Sequence, residues 1–247
     1  MKIVVTPTYR PLTPLLQTLP ERFEQEGETL HAGRNTVKRF LLEGGEWIVK
    51  RYKRPHLIQQ IAYTFFRASK AERAFRFASR LQQLGFSTPG GIAFIEMKKR
   101  GLLTDSYFVS TACHDPAVTQ ELPKTGAFQT RLADELAAFL VSLHEKGVLH
   151  GDLNLNNILY RREAEGQCHF TLIDTNRTRF VETPSAEECL ENLKRITHRR
   201  DLLQYITEQY AHRRGWNVSR CATRVLAELD KFEQRNRWKK KLKGKKP

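Results

Sequence analysis

The stretch His150-Gly151-Asp152-Leu153-Asn154-Leu155-Asn156-Asn157 is followed by the apolar run Ile158-Leu159-Tyr160 and, further on, by Leu172-Ile173-Asp174. An Asp with an Asn five positions later, and a second Asp closing an apolar strand, are chemical groups with one shared use. The Asp152 carboxylate would accept the proton of an attacking hydroxyl. The Asn157 amide oxygen and the Asp174 carboxylate are hard oxygen ligands for a divalent cation. An Asp and an Asn at this spacing also arise by chance in polar loops built on Asx turns. The surroundings favour the chemical reading: a helical pattern precedes the loop, a short strand follows it, and Asp174 closes another strand.

This arrangement resembles the catalytic core of protein-kinase-like phosphotransferases, in which such an Asn and Asp hold the magnesium that bridges the ATP phosphates. The departures are informative. Gly151 stands where protein kinases carry an Arg that binds a phosphate on the activation loop, so control by activation-loop phosphorylation is not expected. Asp174 is followed by Thr175-Asn176 instead of Phe-Gly, and no Ala-Pro-Glu comes after it. The platform that docks a protein substrate is therefore missing, which points to a small or lipid-linked acceptor hydroxyl. His150 is expected to orient the loop backbone and His144 to be a structural helix residue.

The chain of 247 residues is long enough for one large domain or two small lobes around a cleft. Its 42 Lys and Arg face 27 Asp and Glu, a formal net charge of +15. That field suits nucleic acid, an anionic membrane or an acidic substrate without choosing among them. Cys113, Cys168, Cys189 and Cys221 are widely separated and contain no C-x-x-C pair, which argues against a zinc site or a disulfide framework. The N-terminal apolar run is too short for a signal peptide and no stretch reaches the ~20 apolar residues of a membrane span. The expected compartment is cytoplasmic and reducing.

Alternation predicts strands at 28–31, 36–42 and 46–52, with Gly33 and Gly44-Gly45 at the turns, and two more at 91–97 and 102–110. Residues 57–66 place Leu57, Ile58, Ile61, Ala62, Phe65 and Phe66 on one helical stripe. A helix from Ser69 to Leu84 stops at Gly85, another runs from Gln129 to Lys146 and stops at Gly147, and helical patterns follow at 185–197, 199–213 and 217–237. The expected fold is α+β and bilobal. Residues 1–112 form an antiparallel sheet N-lobe with a helix and an N-terminal extension, 113–237 a mainly helical C-lobe, and 238–247 a basic tail. Such a cationic block contacts a polyanion or stays a solvated end.

Lys50 closes the third strand of the meander, where kinases keep the lysine that grips the α- and β-phosphates. Glu72, the only acid between Ser69 and Leu84, is its candidate partner by elimination. Ser69-Lys70-Ala71-Glu72 is equally a capping box, and Glu72 lies a turn earlier than a mid-helix partner should. Gly33 and Arg34 form the candidate phosphate-covering turn, with a single glycine where protein kinases have three, helped by Arg34 or Lys38. Arg177 and Arg179 either clamp an anionic acceptor or are surface charge.

Together, Ile48-Val49-Lys50-Arg51-Tyr52, the helix ending Leu84-Gly85 before Thr88-Pro89, the loop from His150 to Leu159, and Leu172 to Arg177 resemble the lipopolysaccharide core kinases, the Kdo kinase and heptose kinase family. The resemblance covers about residues 28–180 and is most specific in the loop. It implies transfer of the γ-phosphate of ATP to a sugar hydroxyl of lipid A-linked core oligosaccharide. The reaction would take place at the cytoplasmic face of the inner membrane. Asp152 would then be the base, Asn157 and Asp174 the magnesium ligands, and Lys50 the phosphate lysine. Thr175-Asn176 replaces the more usual Phe-Asp, and the mid-helix Glu is absent or displaced.

The expected cofactors are ATP and Mg2+. The expected partners are a lipid-linked anionic sugar, most readily Kdo, and the anionic inner-membrane surface. Neither nucleic acid nor an obligate protein partner is expected. A phosphotransferase of the aminoglycoside or choline type shares the HGD loop, although so basic a protein would repel a cationic acceptor. An atypical protein kinase lacks its docking platform. A pseudokinase that binds membrane or nucleic acid leaves the surviving base, metal ligands and lysine unexplained.

Overall fold

The computed structural model describes residues 1–164 and 166–243. The chain forms two compact units, one of Met1–His114 with Asp174–Arg177, the other of Asp115–Ile173 with the chain from Thr178 onward. The sequence places the boundary after residue 112 and gives 174–177 to the second lobe. In the structure those four residues join the first unit.

In the first unit the order is β1 (Lys2–Val5), α1 (Thr13–Arg22), β2 (Glu28–Ala32), β3 (Thr36–Leu42), β4 (Gly45–Tyr52), α2 (Leu57–Ile61), a π-helical turn Ala62–Phe66, α3 (Lys70–Gln83), β5 (Gly91–Lys99) and β6 (Leu102–Thr111). The six strands make one antiparallel sheet in the order β1-β5-β6-β4-β3-β2. The N-terminal segment expected only as an extension supplies its edge strand and a helix. Leu16 and Leu19 of α1, with Phe23, are fully buried against Phe40, Trp47, Val49, Ile95 and Val109. Each such side chain contributes about 1.5–3 kcal/mol of burial. On the opposite face, Ala71 and Ala74 of α3 pack on Tyr52 and Phe94.

Strand alternation sends Val49 to the α1 face and Lys50 and Tyr52 to the α3 face. Lys38 stands opposite Val49 and so reaches α1, where its ammonium donates to the Phe23 and Glu26 carbonyls at 2.6 and 2.9 Å. The expectation that Lys38 helps to cover phosphates is corrected: it caps the C-terminal end of α1.

The second unit contains α4 (Thr130–Glu145), β7 (Val148–Leu149), β8 (Ile158–Arg162), β9 (Cys168–Leu172), β10 (Arg179–Phe180), α5 (Ala186–Leu193), α6 (Arg200–Arg213) and α7 (Val218–Lys243). α4 buries Leu132, Leu136, Leu140 and Leu143 and packs on α6, which packs on α7. Strands β8 and β9 form a hairpin, and β7 pairs with β10. Ser185 and Glu188 close a reciprocal capping box that starts α5. The basic segment from Trp238 continues α7 in helical form through Lys243. The last four residues of the expected tail, 244–247, lie outside the described residues.

Candidate active site

In the second unit the loop after β7 is pinned from inside. Leu149, Leu153, Leu155 and Ile158 are buried, while Asp152, Asn154 and Asn156 between and beside them are not. His150 is fully buried. Its Nε2 lies 3.1 Å from the Ile173 carbonyl and its Nδ1 3.3 Å from the Asp152 backbone N. Nε2 therefore carries the proton and Nδ1 accepts. The ring ties the loop to Ile173, which follows β9 and directly precedes Asp174.

Residues 192–196 brace the same loop. Asn192 donates to the His150 carbonyl at 2.8 Å, Arg195 to the Gly151 carbonyl at 2.9 Å, and the Leu155 N–H to the Ile196 carbonyl at 3.0 Å. The Asn192 oxygen is thereby free to accept from His144 Nε2 at 3.1 Å, leaving His144 Nδ1 to accept from Tyr210 at 2.9 Å. Burial pushes the His144 imidazole down to about 4. Asn157 donates from Nδ2 to the Asp152 carbonyl at 2.9 Å. That fixes its amide orientation and presents Oδ1, the hard oxygen a cation would take.

Asp152 lines a cavity of about 520 Å³ within this unit. Lys124, Arg195 and Arg199 are its fixed cations, with Thr119, Asn156, His198 and Phe232 also on its walls. The Arg195 guanidinium lies 5.4 Å over the Phe232 ring and His198 is held by Glu233 at 2.9 Å. Arg199 is engaged by Asp201 and by the Pro123 and Gly126 carbonyls.

In the first unit the Lys50 ammonium donates to Asp174 Oδ1 at 2.7 Å. Asn176 donates to the same oxygen. The Tyr52 ring lies 5.4 Å from the Lys50 ammonium, and burial with the neighbouring Asp174 raises the Tyr52 hydroxyl above its usual value. Glu72 is not the partner of Lys50. Its N–H is capped by Ser69 at 3.1 Å, and its carboxylate takes Lys2 at 3.2 Å and Arg76 at 3.5 Å. The physical reason is position: in the first turn it points to the β1 edge of the sheet.

Cations occupy the place around Lys50 instead. Burial and the neighbouring Arg34, Arg177, Arg73 and Lys50 charges pull the Lys70 ammonium below its usual value. Arg73 is likewise lowered by burial and by Arg67 and Arg177, and its Nε is buried without a partner among the described residues. Lys70 and Arg73 were not singled out in the sequence, yet a signal existed. Cations in the first turn oppose the helix macrodipole, so their presence there needs another reason. Gly33 uses its N–H on the Asn35 carbonyl at 3.2 Å, and Arg34 joins the cationic group. Arg177 and Arg179 fall in different units, and Arg179 is engaged by Glu188 at 2.9 Å.

Curated proteins show no sequence match to the chain. A solved structure described as WaaP in complex with acyl carrier protein matches it with a TM-score of 0.61 at 14% identity, over 95% of this chain and 99% of that one. At that identity the likeness shows the fold, which is kinase-like. By sequence, residues 16–218 match the Lipopolysaccharide kinase (Kdo/WaaP) family, a span that includes every candidate residue from Gly33 to Arg179. With the braced Asp152 loop and the Lys50–Asp174 pair in place, that match identifies the chain as a member of the lipopolysaccharide kinase (Kdo/WaaP) family.

Proposed function

We propose that this phosphotransferase moves the γ-phosphate of ATP to a hydroxyl of a lipid-linked, anionic inner-core sugar, with Kdo on lipid A as the leading acceptor. The observation that carries the reading is the cavity at Asp152, where the base shares its walls with Lys124 and Arg195. A carboxylated or phosphorylated sugar gains charge-assisted hydrogen bonds there. A cationic aminoglycoside or choline would meet like charge instead, which disfavours that reading.

Asp152 takes the proton of the attacking hydroxyl, and the bonds from His150, Asn192 and Arg195 hold its backbone so that little reorganisation is needed. Lys50, Lys70, Arg73 and Arg34 are the donors we assign to the nucleotide phosphates. Among the described residues no group of three or more His, Cys, Asp or Glu is arranged to hold a metal. Asn157 and Asp174 are the residues we assign to magnesium, each offering a hard oxygen. Magnesium, when bound, neutralises phosphate charge.

No helix of the described residues is long and apolar enough to cross a membrane. Access to a lipid-linked acceptor is assigned to the basic end of α7, where Trp238 is 71% exposed, at the cytoplasmic face of the inner membrane. The solved relative binds acyl carrier protein; co-purification with that carrier tests whether this chain shares the partner. The deciding experiment follows labelled phosphate from ATP with Kdo-bearing lipid A precursor, a protein acceptor, or no acceptor. Transfer to the lipid-linked sugar alone is expected. Transfer to protein, or none at all, would reject the assignment.

A further inference from the structure

The apolar stripe at 57–66 is present as the sequence predicts, but it faces away from the protein. Leu57, Ile58, Phe65 and Phe66 are 62, 76, 68 and 84% exposed and Ile61 is 41% exposed. Gln60 and Thr64 of the same run are part-buried and hydrogen-bonded to the protein. Thr64 accepts the Leu103 N–H at 3.0 Å and donates to the Gln60 carbonyl at 2.6 Å, while Gln60 donates to the Pro55 carbonyl at 2.9 Å. The π turn closes with the Arg67 N–H on the Ala62 carbonyl at 2.8 Å. Monomer surfaces carry scattered apolar side chains, but a contiguous patch of this kind marks a contact.

We propose that α2 and the following π turn lie in the interfacial layer of an anionic membrane, with Leu57, Ile58, Ile61, Phe65 and Phe66 among the lipid chains. Charge supports this occupant. Lys53 and Arg54 precede the stripe and Arg67 follows it, all exposed, and the sequence has no Asp or Glu between Glu46 and Glu72. The ten residues extend about 15 Å, too short to span a bilayer and sufficient to lie along its surface. A second copy of the chain fits poorly. A two-fold contact would set the same patch, and the same uncompensated cations, against itself. The contact belongs to the first unit, is separate from the basic end of α7, and stands apart from the phosphotransfer reading.

The test uses the full chain with vesicles of phosphatidylethanolamine and phosphatidylglycerol, without nucleotide or acceptor, so it is independent of catalysis. In the Phe66→Trp variant, made in a Trp238→Phe background, emission should shift to the blue on vesicle addition and be quenched by brominated acyl chains beyond the change seen in that background alone. In the Phe65→Ser/Phe66→Ser variant, vesicle partitioning at about 1 M salt, where the Debye length is about 3 Å, should fall about tenfold or more. Its circular dichroism spectrum and melting temperature should match wild type, which reports correct folding. Absence of quenching in Phe66→Trp overturns the proposal even where the double variant does not fold. So does loss of dimerisation or of binding to an acidic protein in the double variant while its vesicle partitioning stays at the wild-type level.

Discussion

Asp174 holds a backbone φ of 55°, in the left-handed region that non-glycine residues rarely occupy. Conformations of this kind cost on the order of 1–3 kcal/mol and persist where the surroundings over-determine them. Here Lys50 and Asn176 fix the side chain and the His150 ring fixes the preceding carbonyl. Asp152 is the base in the proposed reaction. Asp152→Asn should keep ATP binding and lose phosphotransfer by about 100-fold or more, since removing a general base costs about 10²–10⁴; unchanged turnover would take Asp152 out of the mechanism. Lys70 gives a sharper discrimination. It sits at the positive end of α3 among Arg34, Arg73, Arg177 and Lys50, so Lys70→Ala should relieve repulsion and leave thermal stability equal or higher. If Lys70 serves the nucleotide, ATP affinity should nevertheless fall about tenfold, the weight of one charge-assisted hydrogen bond; unchanged calorimetric affinity would leave it a strained surface cation. His144 predicts a pH dependence. Its folded value of about 4 lies below the ordinary histidine value of about 6.5, so the unfolded chain binds the proton more readily. The stability from neutral His144 is complete above pH ~6.5 and is lost as pH falls towards ~4, on the order of 3 kcal/mol in all. Denaturant titrations should show the advantage of wild type over His144→Gln shrinking across that window; a constant difference would mean the imidazole is accessible to protons.

Gly147 ends α4 at a φ of 73° and leads directly into the strand before the candidate catalytic loop. An added Cβ would run into the Val181 carbonyl, and the Gly147 carbonyl accepts the Val181 N–H at 2.9 Å. Gly147→Ala should therefore lower stability by at least about 1–3 kcal/mol, read by denaturant unfolding, and should reduce activity by shifting β7. This stop was legible in the sequence, as were the meander and α3 to α6, because periods of two and of 3.6 residues are local properties. The residues at 1–27 were not. β1 is a four-residue edge strand, and α1 carries Pro14 and Pro20, so neither shows a sustained period although Leu16 and Leu19 are fully buried. Alternation separates Lys38 from Lys50, but which face holds α1 is a tertiary fact. The cavity was illegible for a related reason: Lys124, Asp152, Arg195 and Phe232 come from four separate segments. Glu72 was ambiguous for the opposite reason, since one residue satisfied two local patterns and the register of α3 chose the cap.

At the scale of the whole molecule the net charge of +15 is the dominant long-range property, and its placement bears on the proposed membrane attachment. α7 packs on α5 and α6 in its earlier turns and carries Lys231, Arg235, Trp238 and Lys239 along one shallow groove beyond them. A helix gathers these side chains on one face, which a disordered tail of the same composition would not. Each Lys or Arg near an anionic surface contributes about 1 kcal/mol, and Trp238 adds an interfacial contact. Six lysines follow Trp238 in the sequence, enough for reversible attachment. Because the attraction is screened, the part of vesicle binding that α7 supplies should fall steeply between low salt and about 1 M, where the Debye length shrinks to about 3 Å. The part supplied by the apolar stripe at 57–66 should persist. Removing residues 238–247 should therefore abolish the salt-sensitive component in sedimentation with phosphatidylglycerol vesicles, keep the salt-resistant one, and leave transfer to a soluble acceptor sugar nearly unchanged. Equal binding of truncated and full-length protein at low salt would make the basic end a solvated extension without a targeting role. Preference of the full-length protein for nucleic acid over vesicles at equal charge concentration would remove the membrane from the assignment altogether.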